Sequence, residues 1–487
     1  MAVTNDGVSK LPDAVLHYIL SLVPMKFAIR TSILSKRWNN LWKHTLAYAT
    51  DLDFGAEFGR GQSPGEFVSN VDRYLQLHEG KIIKMFKLSF YAGDQYMAKI
   101  ERWVEFSVAR GVKELDLDFC QTIDGEMSDS LEEGRLLKLP NCLFSTDSLT
   151  HLKLSGCDFS PPLNSNGFSK LKAFHLCNAR ITEGGLKIMV FNCKVLEELS
   201  LKNCYDLMEI KVSAPHLPLT SLIVVDCWDA HEIEISVPNL QSFHFYGNLI
   251  DINLENSSIL EDVLINGLDR EGFEPDHDWI RILRRLEHVK ILTLCNSSLS
   301  YVVLAEEYTP EYLPVTFHNL GELQLLMDSA GGCYLANTYS FFKNCPCPRL
   351  EKLFIELPSA YTEPSQRNYH YSRIPEGDSP EMAFPHLKTV KVNGFRGFEN
   401  EIWLVKFFLE RAIALDSLLL VAPPKGIRNE REGSTSDPGG SANPLDLLFQ
   451  KLGTFRKASS DAEITICEYS EGGDFLSPTH MEVFCKG

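Results

Sequence analysis

The sequence has no long apolar run, no cluster of basic residues and no secretion leader. No stretch approaches the roughly 20 apolar residues that span a bilayer, and the start of the chain lacks a charged-then-apolar segment with a small-residue cleavage site. The 47 Lys and Arg against 65 Asp and Glu give a net charge of −18, whereas phosphate backbones require clustered positive charge. We therefore expect no membrane and no nucleic-acid partner, and a location in the nucleus, the cytosol or both.

Short motifs of common enzyme classes are missing as well. The chain has no Gly-rich phosphate loop ending in Lys-Ser or Lys-Thr, no His-Glu-x-x-His, no Gly-x-Ser-x-Gly and no dinucleotide fingerprint. Scattered histidines such as His151, His216 and His288 lie in repeat positions that surface or interior packing explains. Although catalytic triads need not be local in sequence, we expect a non-catalytic protein without a cofactor.

The 13 cysteines are odd in number and follow no framework spacing. Several, including Cys157, Cys204 and Cys227, fall at predicted strand ends, where a small buried hydrophobe fits, and we expect reduced thiols. Cys345 and Cys347 are too close for a useful disulfide and have no second Cys or His pair to complete a zinc site. The cysteines therefore predict no metal centre.

What the chain does contain is a recurring phrase, Leu-x-x-Leu-x-Leu, with Cys or Asn a few residues later. One clear copy consists of Leu149, Leu152 and Leu154, with Cys157 after it. Copies recur about every 20 to 30 residues, which is the period of leucine-rich repeats. The other copies begin at Leu171, Leu196, Leu219, Leu240, Leu260, Val289, Leu320 and Leu350.

This spacing predicts a short strand in every copy. Because side chains alternate between the two faces of a strand, the fourth and sixth residues enter the core and the residues beside them face outward. One repeat cannot bury its apolar face alone, so the strands must stack in parallel and the array needs caps. Segments 184–193 and 278–286 have helical spacing and are expected on the outer side. The predicted fold class is α/β, a repeat solenoid with a parallel concave sheet.

Residues 384–423 read as strand, turn, amphipathic helix and strand. Gly394 and Gly397 mark the turn. We expect this stretch to cap the end of the array. The apolar stripe of its helix consists of Ile402, Val405, Phe408, Leu409 and Ala412.

The N-terminal residues 11–42 hold three short apolar-faced segments and two prolines. Pro12 and Asp13 suit the first turn of a helix, Pro24 ends that helix, and Ser35 is placed to cap a third one. Three helices of this size cannot bury two tryptophans and a dozen aliphatic side chains by themselves. The surplus implies a partner protein, unless the segment is an ordinary helical cap on a larger domain.

This segment resembles the plant-type F-box, which reads Leu-Pro-Asp, Ile-Leu-Ser, Pro-x-Lys, Thr-Ser-x-Leu-Ser-Lys-Arg-Trp and Leu-Trp in that order. The usual Asp-Arg-Ile-Ser lead-in appears as Asp6-Gly7-Val8-Ser9, and Met25 stands where Thr is usual. The repeats are similar to the leucine-rich arrays that follow plant F-boxes, and residues 384–423 resemble the FBD module. The matching stretches are Leu11-Pro12-Asp13, Ile19-Leu20-Ser21, Pro24-Met25-Lys26, Thr31-Ser32-Ile33-Leu34-Ser35-Lys36-Arg37-Trp38 and Leu41-Trp42.

The resemblance implies a docking surface for a Skp-family adaptor, which joins an F-box protein to a cullin and a RING subunit in a ubiquitin ligase. The chain would be the substrate-receptor subunit of that ligase and would bind an unknown protein substrate through its repeats. The alternative is a non-catalytic repeat scaffold that binds proteins outside a ligase. The implied adaptor-binding residues are Leu11, Pro12, Ile19, Leu20, Leu22, Pro24, Ile29 and Trp38, all as exposed side chains, with Lys36 and Arg37 nearby.

Outward positions of the repeat strands indicate where a substrate binds. Early copies present polar or small residues, whereas middle copies present a mostly apolar surface, and covering such a surface on association is favourable. The alternatives are a loop folded over this surface, or a one-residue register error that inverts the faces. The predicted substrate-binding residues are Ile223, Val225, His244, Tyr246 and Leu264.

The predicted organisation has four parts. Residues 1–45 form the F-box, 46–113 a linker and N-terminal cap, 114–383 the leucine-rich repeats, and 384–487 the FBD-like module. The stretch 358–382 and a disordered segment near 426–443 are expected to be loops, because their composition cannot repay the entropy cost of ordering.

Overall fold

A computed structural model describes residues 11–23, 25–90, 94–120, 136–268, 278–308, 313–327, 334–358, 382–423, 451–469 and 476–481. The chain divides into two compact units, Met1–Ala230 and His231–Gly487. Pro24 and the predicted loop near 426–443 lie outside the described residues, as do 359–381 of the other predicted loop.

The first unit begins with helices and continues as strands interspersed with helices. Its helices are α1 (Asp13–Ser21), α2 (Met25–Arg30), α3 (Lys36–Ala47), α4 (Ala56–Gly59), α5 (Pro64–Leu77), α6 (Met97–Ala109) and α7 (Glu183–Asn192). Its strands are β1 (Asp51–Phe54), β2 (Met85–Ser89), β3 (Glu114–Asp118), β4 (Leu137–Lys138), β5 (His151–Ser155), β6 (Cys157–Phe159), β7 (Ala173–Ile181), β8 (Glu198–Tyr205), β9 (Glu209–Ser213) and β10 (Ser221–Val225).

A parallel ladder runs through this unit in the order β1, β2, β3, β5, β7, β8, β10. The register aligns equivalent residues of successive repeats, so that Leu154, Leu176 and Leu201 form one row across the sheet. All three are buried. The strands β4, β6 and the end of β7 form a second, shorter ladder.

The second unit repeats this plan. Its helices are α8 (Asp278–Arg285), α9 (Asn296–Tyr308), α10 (Tyr334–Asn344) and α11 (Glu399–Arg411). Its strands are β11 (Glu232–Ser236), β12 (Ser242–Asn248), β13 (Asp251–Glu255), β14 (Asp262–Leu268), β15 (Ile291–Cys295), β16 (Glu322–Leu326), β17 (Lys352–Glu356), β18 (Thr389–Asn393), β19 (Ser417–Val421) and β20 (Glu463–Cys467). A parallel ladder runs in the order β12, β14, β15, β16, β17, β18, β19, β20. The strands β11 and β13 pair separately.

The predicted repeat fold is confirmed, because each of the nine copies of the phrase lies on a strand of a parallel ladder. In β12, Phe243 and Phe245 are buried in the core, while His244 and Tyr246 lie on the opposite face. That second face of each ladder, which carries the residues between and beside the core positions, is called the open face below.

Helices are present where helical spacing was predicted. The segments 184–193 and 278–286 correspond to α7 and α8, and the apolar stripe of residues 384–423 lies on α11 except for Ala412, which is the C-cap residue just after this helix. The turn before α11 is closed by Glu401, whose buried carboxylate accepts hydrogen bonds from the backbone N–H groups of Arg396, Gly397 and Phe398. No helix in the described part of the chain combines the length and apolar character that crossing a bilayer demands.

A left-handed residue recurs two positions after the last core residue of a repeat strand. Gly156, Asn178, Asn203, Asp226 and Gly394 all occupy this position, with φ between 48° and 74°. Left-handed backbone brings Cβ close to the neighbouring carbonyl, which Gly avoids and which Asn and Asp tolerate best. The Asn that follows the Leu phrase is therefore explained by backbone geometry.

Replacing Asn203 by Gly and by Ala tests this geometry. Both variants lose the hydrogen bonds that Asn203 donates to Asn178 and Tyr205. The difference in the free energy of unfolding between the two variants therefore isolates the energetic cost of the positive φ angle. We expect the Ala variant to be less stable by about 1 kcal/mol, net of the greater freedom of unfolded glycine, in urea unfolding. An Ala variant as stable as the Gly variant would contradict a left-handed Asn203.

Candidate functional site

The first candidate site is the N-terminal module formed by α1, α2 and α3. Its small core consists of Leu16, Leu20, Ala28, Trp38 and Leu41. As predicted, Ser35 caps α3, since its Oγ accepts a hydrogen bond from the backbone N–H of Trp38 at 3.3 Å. The core residues form a single apolar layer between the three helices.

The predicted exposure of Leu20 and Trp38 is wrong. Only 1% of Leu20 and 6% of Trp38 is exposed, because both pack inside the module. Leu11 and Ile19 are half-buried against the same core. The remaining described members of the predicted set are exposed or half-exposed: Pro12, Leu22, Ile29, Lys36 and Arg37.

The module nevertheless presents a large apolar surface to solvent. Leu22 is 67% exposed, Ile33 86% and Leu34 64%. Except for Leu22, these side chains are not among the residues singled out from the sequence, although their apolar spacing was visible there. The exposed apolar surface of the module consists of Val15, Tyr18, Leu22, Phe27, Ile33 and Leu34.

Arg37 joins the third helix to the start of the first. Its Nε and Nη2 donate to Asp13 Oδ1 at 2.9 and 2.6 Å, and Nη2 also donates to the carbonyl of Leu11 at 2.6 Å. The ion pair is solvent-exposed, so its contribution to stability is small. Its contacts hold the beginning of α1 against α3. Lys36, the residue before it, is also exposed.

The second candidate site is the open face of the repeat ladders. In the first unit, Ile223 and Val225 are half-buried and pair in register with Ser200 and Lys202. In the second unit, His244 and Tyr246 are half-buried and His244 pairs with Leu264.

Leu264 is fully buried, so the predicted exposure of this residue is wrong. Other open-face residues of the second unit are buried too, including Thr293, Gln324 and Lys391. An open-face position is ordinarily exposed to solvent in a ladder with one core face. The burial therefore shows that this part of the open face is covered.

Residues 476–481, called the C-terminal segment, lie on this part of the open face. Lys391 Nζ donates to the carbonyl of Leu476 at 2.9 Å, and the backbone N–H of Thr479 donates to Glu322 Oε1 at 2.7 Å. The contacts join the segment to strands β18 and β16. Chain folded over the open face was one of the alternatives left by the sequence.

His480 of the C-terminal segment completes a polar cluster with His244 and Asp262. Its Nε2 lies 2.6 Å from Asp262 Oδ1, and His244 Nε2 lies 3.3 Å from Asp262 Oδ2. Burial alone would raise the pKa of the Asp262 carboxyl, but the hydrogen bonds and positive charge of the two imidazoles outweigh it and hold that pKa well below its usual range. One ligand atom of each residue lies within 4.8 Å of the other two.

Comparisons with known families cover the N-terminal module and the repeat ladders as far as residue 438. The F-box domain model matches residues 8–47. The At1g61320/AtMIF1 LRR domain model matches residues 74–438, which is more than half of the chain.

Similar proteins from Arabidopsis thaliana are named as F-box proteins that are FBD-associated or contain leucine-rich repeats. Putative FBD-associated F-box protein At1g61330 is 26% identical, over 87% of this chain and 92% of its own length. FBD-associated F-box protein At1g61320 is 25% identical over 86% and 89%, and F-box/LRR-repeat protein At3g58930 is 28% identical over 89% and 92%. The chain belongs to the F-box proteins with a leucine-rich-repeat domain of the At1g61320/AtMIF1 type.

Proposed function

We propose that this protein is the substrate-receptor subunit of a Skp-cullin-F-box type ubiquitin ligase. The observation that carries the proposal is the exposed apolar surface of the N-terminal module, where Leu22, Ile33 and Leu34 are more than half exposed. Exposed apolar side chains concentrated on one small module typically mark a protein interface. F-box domains generally bind Skp-type adaptors, and the F-box match covers these residues.

The size of this surface suits a stable complex. Full burial of a Leu, Ile or Phe side chain contributes about 1.5–3 kcal/mol. Leu22, Phe27, Ile33 and Leu34 are between 45% and 86% exposed, so covering them offers on the order of 4–8 kcal/mol before the cost of association. An interface of this chemistry depends little on charge, so capture of the adaptor should persist at high salt.

The ligase function requires no bond chemistry from this chain. The adaptor connects it to a cullin and a RING subunit, and the repeat array holds a protein substrate on its open face. Catalysis then arises because the substrate is kept at high local concentration beside a charged ubiquitin carrier. We propose that this takes place in the nucleus, the cytosol or both.

Substituting the exposed apolar surface should weaken adaptor capture strongly. We expect the double variant Leu22→Asp/Ile33→Asp to bind a purified Skp-family adaptor at least tenfold more weakly than the unsubstituted chain. Both side chains are exposed, so charged replacements leave the Leu16, Leu20 and Trp38 core intact. The measurement is affinity by calorimetry, with circular dichroism to confirm folding.

The matched control is Leu163→Asp, which places the same charge at an apolar residue that is 89% exposed outside the module. This variant should bind the adaptor as the unsubstituted chain does. Equal binding by the double variant and the control would refute the docking surface. Leu20→Asp is unsuitable as a test because it would place a charge inside the core of the module.

The open face should recruit substrate independently of the adaptor. In cells that express the chain fused to a proximity-labelling enzyme, Ile223→Asp/Tyr246→Ala should remove labelled proteins other than ligase subunits and leave the adaptor labelled. Leu22→Asp/Ile33→Asp should remove labelling of the adaptor and keep the labelled proteins other than ligase subunits. Loss of both sets in either variant would indicate misfolding, and an unchanged set in the first would contradict substrate binding at these residues.

A further inference from the structure

We propose that His244, Asp262 and His480 form a binding site for a divalent transition-metal ion of the zinc type. The inference concerns the second unit and does not rest on the ligase function. Two imidazole nitrogens and a carboxylate oxygen are a donor set that suits zinc, whereas calcium and magnesium prefer oxygen ligands alone.

The spacing of the His244 and Asp262 donor atoms fits a tetrahedral site. Zinc bonds of about 2.0–2.2 Å place neighbouring ligands of a tetrahedron roughly 3.3–3.5 Å apart. His244 Nε2 lies 3.3 Å from Asp262 Oδ2, and Ser242 Oγ lies 3.2 Å from each of these atoms. The two imidazole rings are nearly perpendicular, with an interplanar angle of 79° and centroids 4.6 Å apart.

His480 Nε2 is the third donor atom and lies 2.6 Å from Asp262 Oδ1, the other oxygen of the carboxylate whose Oδ2 faces His244. An ion bound by Nε2 and Oδ1 would replace the proton of this hydrogen bond, which leaves to solvent, and these two atoms would separate by roughly 0.7 Å to reach ligand spacing. The C-terminal segment, which carries His480, is not a strand of the ladder, so this movement breaks no strand pairing.

A second shell orients His480 in the way expected of a metal ligand. Its Nδ1 lies 2.7 Å from Thr293 Oγ1, and the Thr293 hydroxyl donates to Gln324 Oε1 at 3.1 Å. Since the hydroxyl proton is used on Gln324, Nδ1–H must be the donor toward Thr293. This arrangement holds Nε2 toward Asp262 and His244, and such outer partners typically strengthen metal binding.

The site is also accessible and electrostatically suitable. The side chain of His480 is 3% exposed, but those of His244 and Asp262 are 18% and 27% exposed, which provides an entry path. Asp262 contributes the negative charge that offsets part of the charge of the ion. A bound ion would fasten the C-terminal segment to β12 and β14 across the open face.

Metal titration of the purified, tag-free, full-length chain after chelator treatment tests the site. We expect one Zn²⁺ per chain by calorimetry and the visible absorption of tetrahedral Co²⁺. His480→Gln and Asp262→Asn should each weaken Zn²⁺ binding at least tenfold, and Thr293→Val about tenfold through the second shell. Circular dichroism of the metal-free variants checks that they fold.

The matched control is His386→Gln, which removes an exposed histidine from the same unit and should bind Zn²⁺ as the unsubstituted chain does. Two results would overturn the proposal. One is the absence of stoichiometric binding to the unsubstituted chain, and the other is a folded His480→Gln variant with unchanged affinity. Either would leave the cluster as a hydrogen-bonded contact of the C-terminal segment.

Discussion

A three-helix module of this size can bury one apolar layer and no more. The layer is filled by Leu16, Leu20, Ala28, Trp38 and Leu41. The apolar side chains on the outer faces of the helices have no remaining space inside and stay in water. A covering protein explains these exposed side chains best, and the proposed ligase function would follow from the subunits to which that protein connects.

The repeat ladders obey a second, independent constraint. Parallel pairing in constant register sends every second side chain into the core and leaves the others on the open face. The fold can therefore vary its binding surface without changing its core. In the second unit the open face carries Lys391, Glu322 and Asp262, and each of these side chains forms a hydrogen bond with the C-terminal segment.

The sequence predicts well those structural features that depend on residues within a single repeat. The Leu spacing locates strands such as β5, β7 and β8, and the Asn after them reflects a left-handed residue, because both depend on neighbours close in the chain. Apolar spacing also located the module helices. It could not distinguish Leu20, which packs inward, from Leu22, which faces solvent, because that difference depends on how the helices pack against one another.

The sequence does not predict contacts between residues that are far apart in the chain. Leu264 was predicted to be exposed, and His480 was not singled out at all. Asp262 and His480 are 218 positions apart, and no local pattern links them. Metal-site motifs are defined by ligands that are close in the sequence, so they point to the paired cysteines and not to this cluster.

Hydroxyl-radical footprinting of the full-length chain, with and without a saturating Skp-family adaptor, tests the central claim most directly. The account predicts that Leu22, Phe27, Ile33 and Leu34 lose reactivity when the adaptor is present. Leu163 and Phe191, which are exposed apolar residues elsewhere, should react equally in both samples. Unchanged reactivity of the module at saturating adaptor, or protection confined to the repeats, would contradict it.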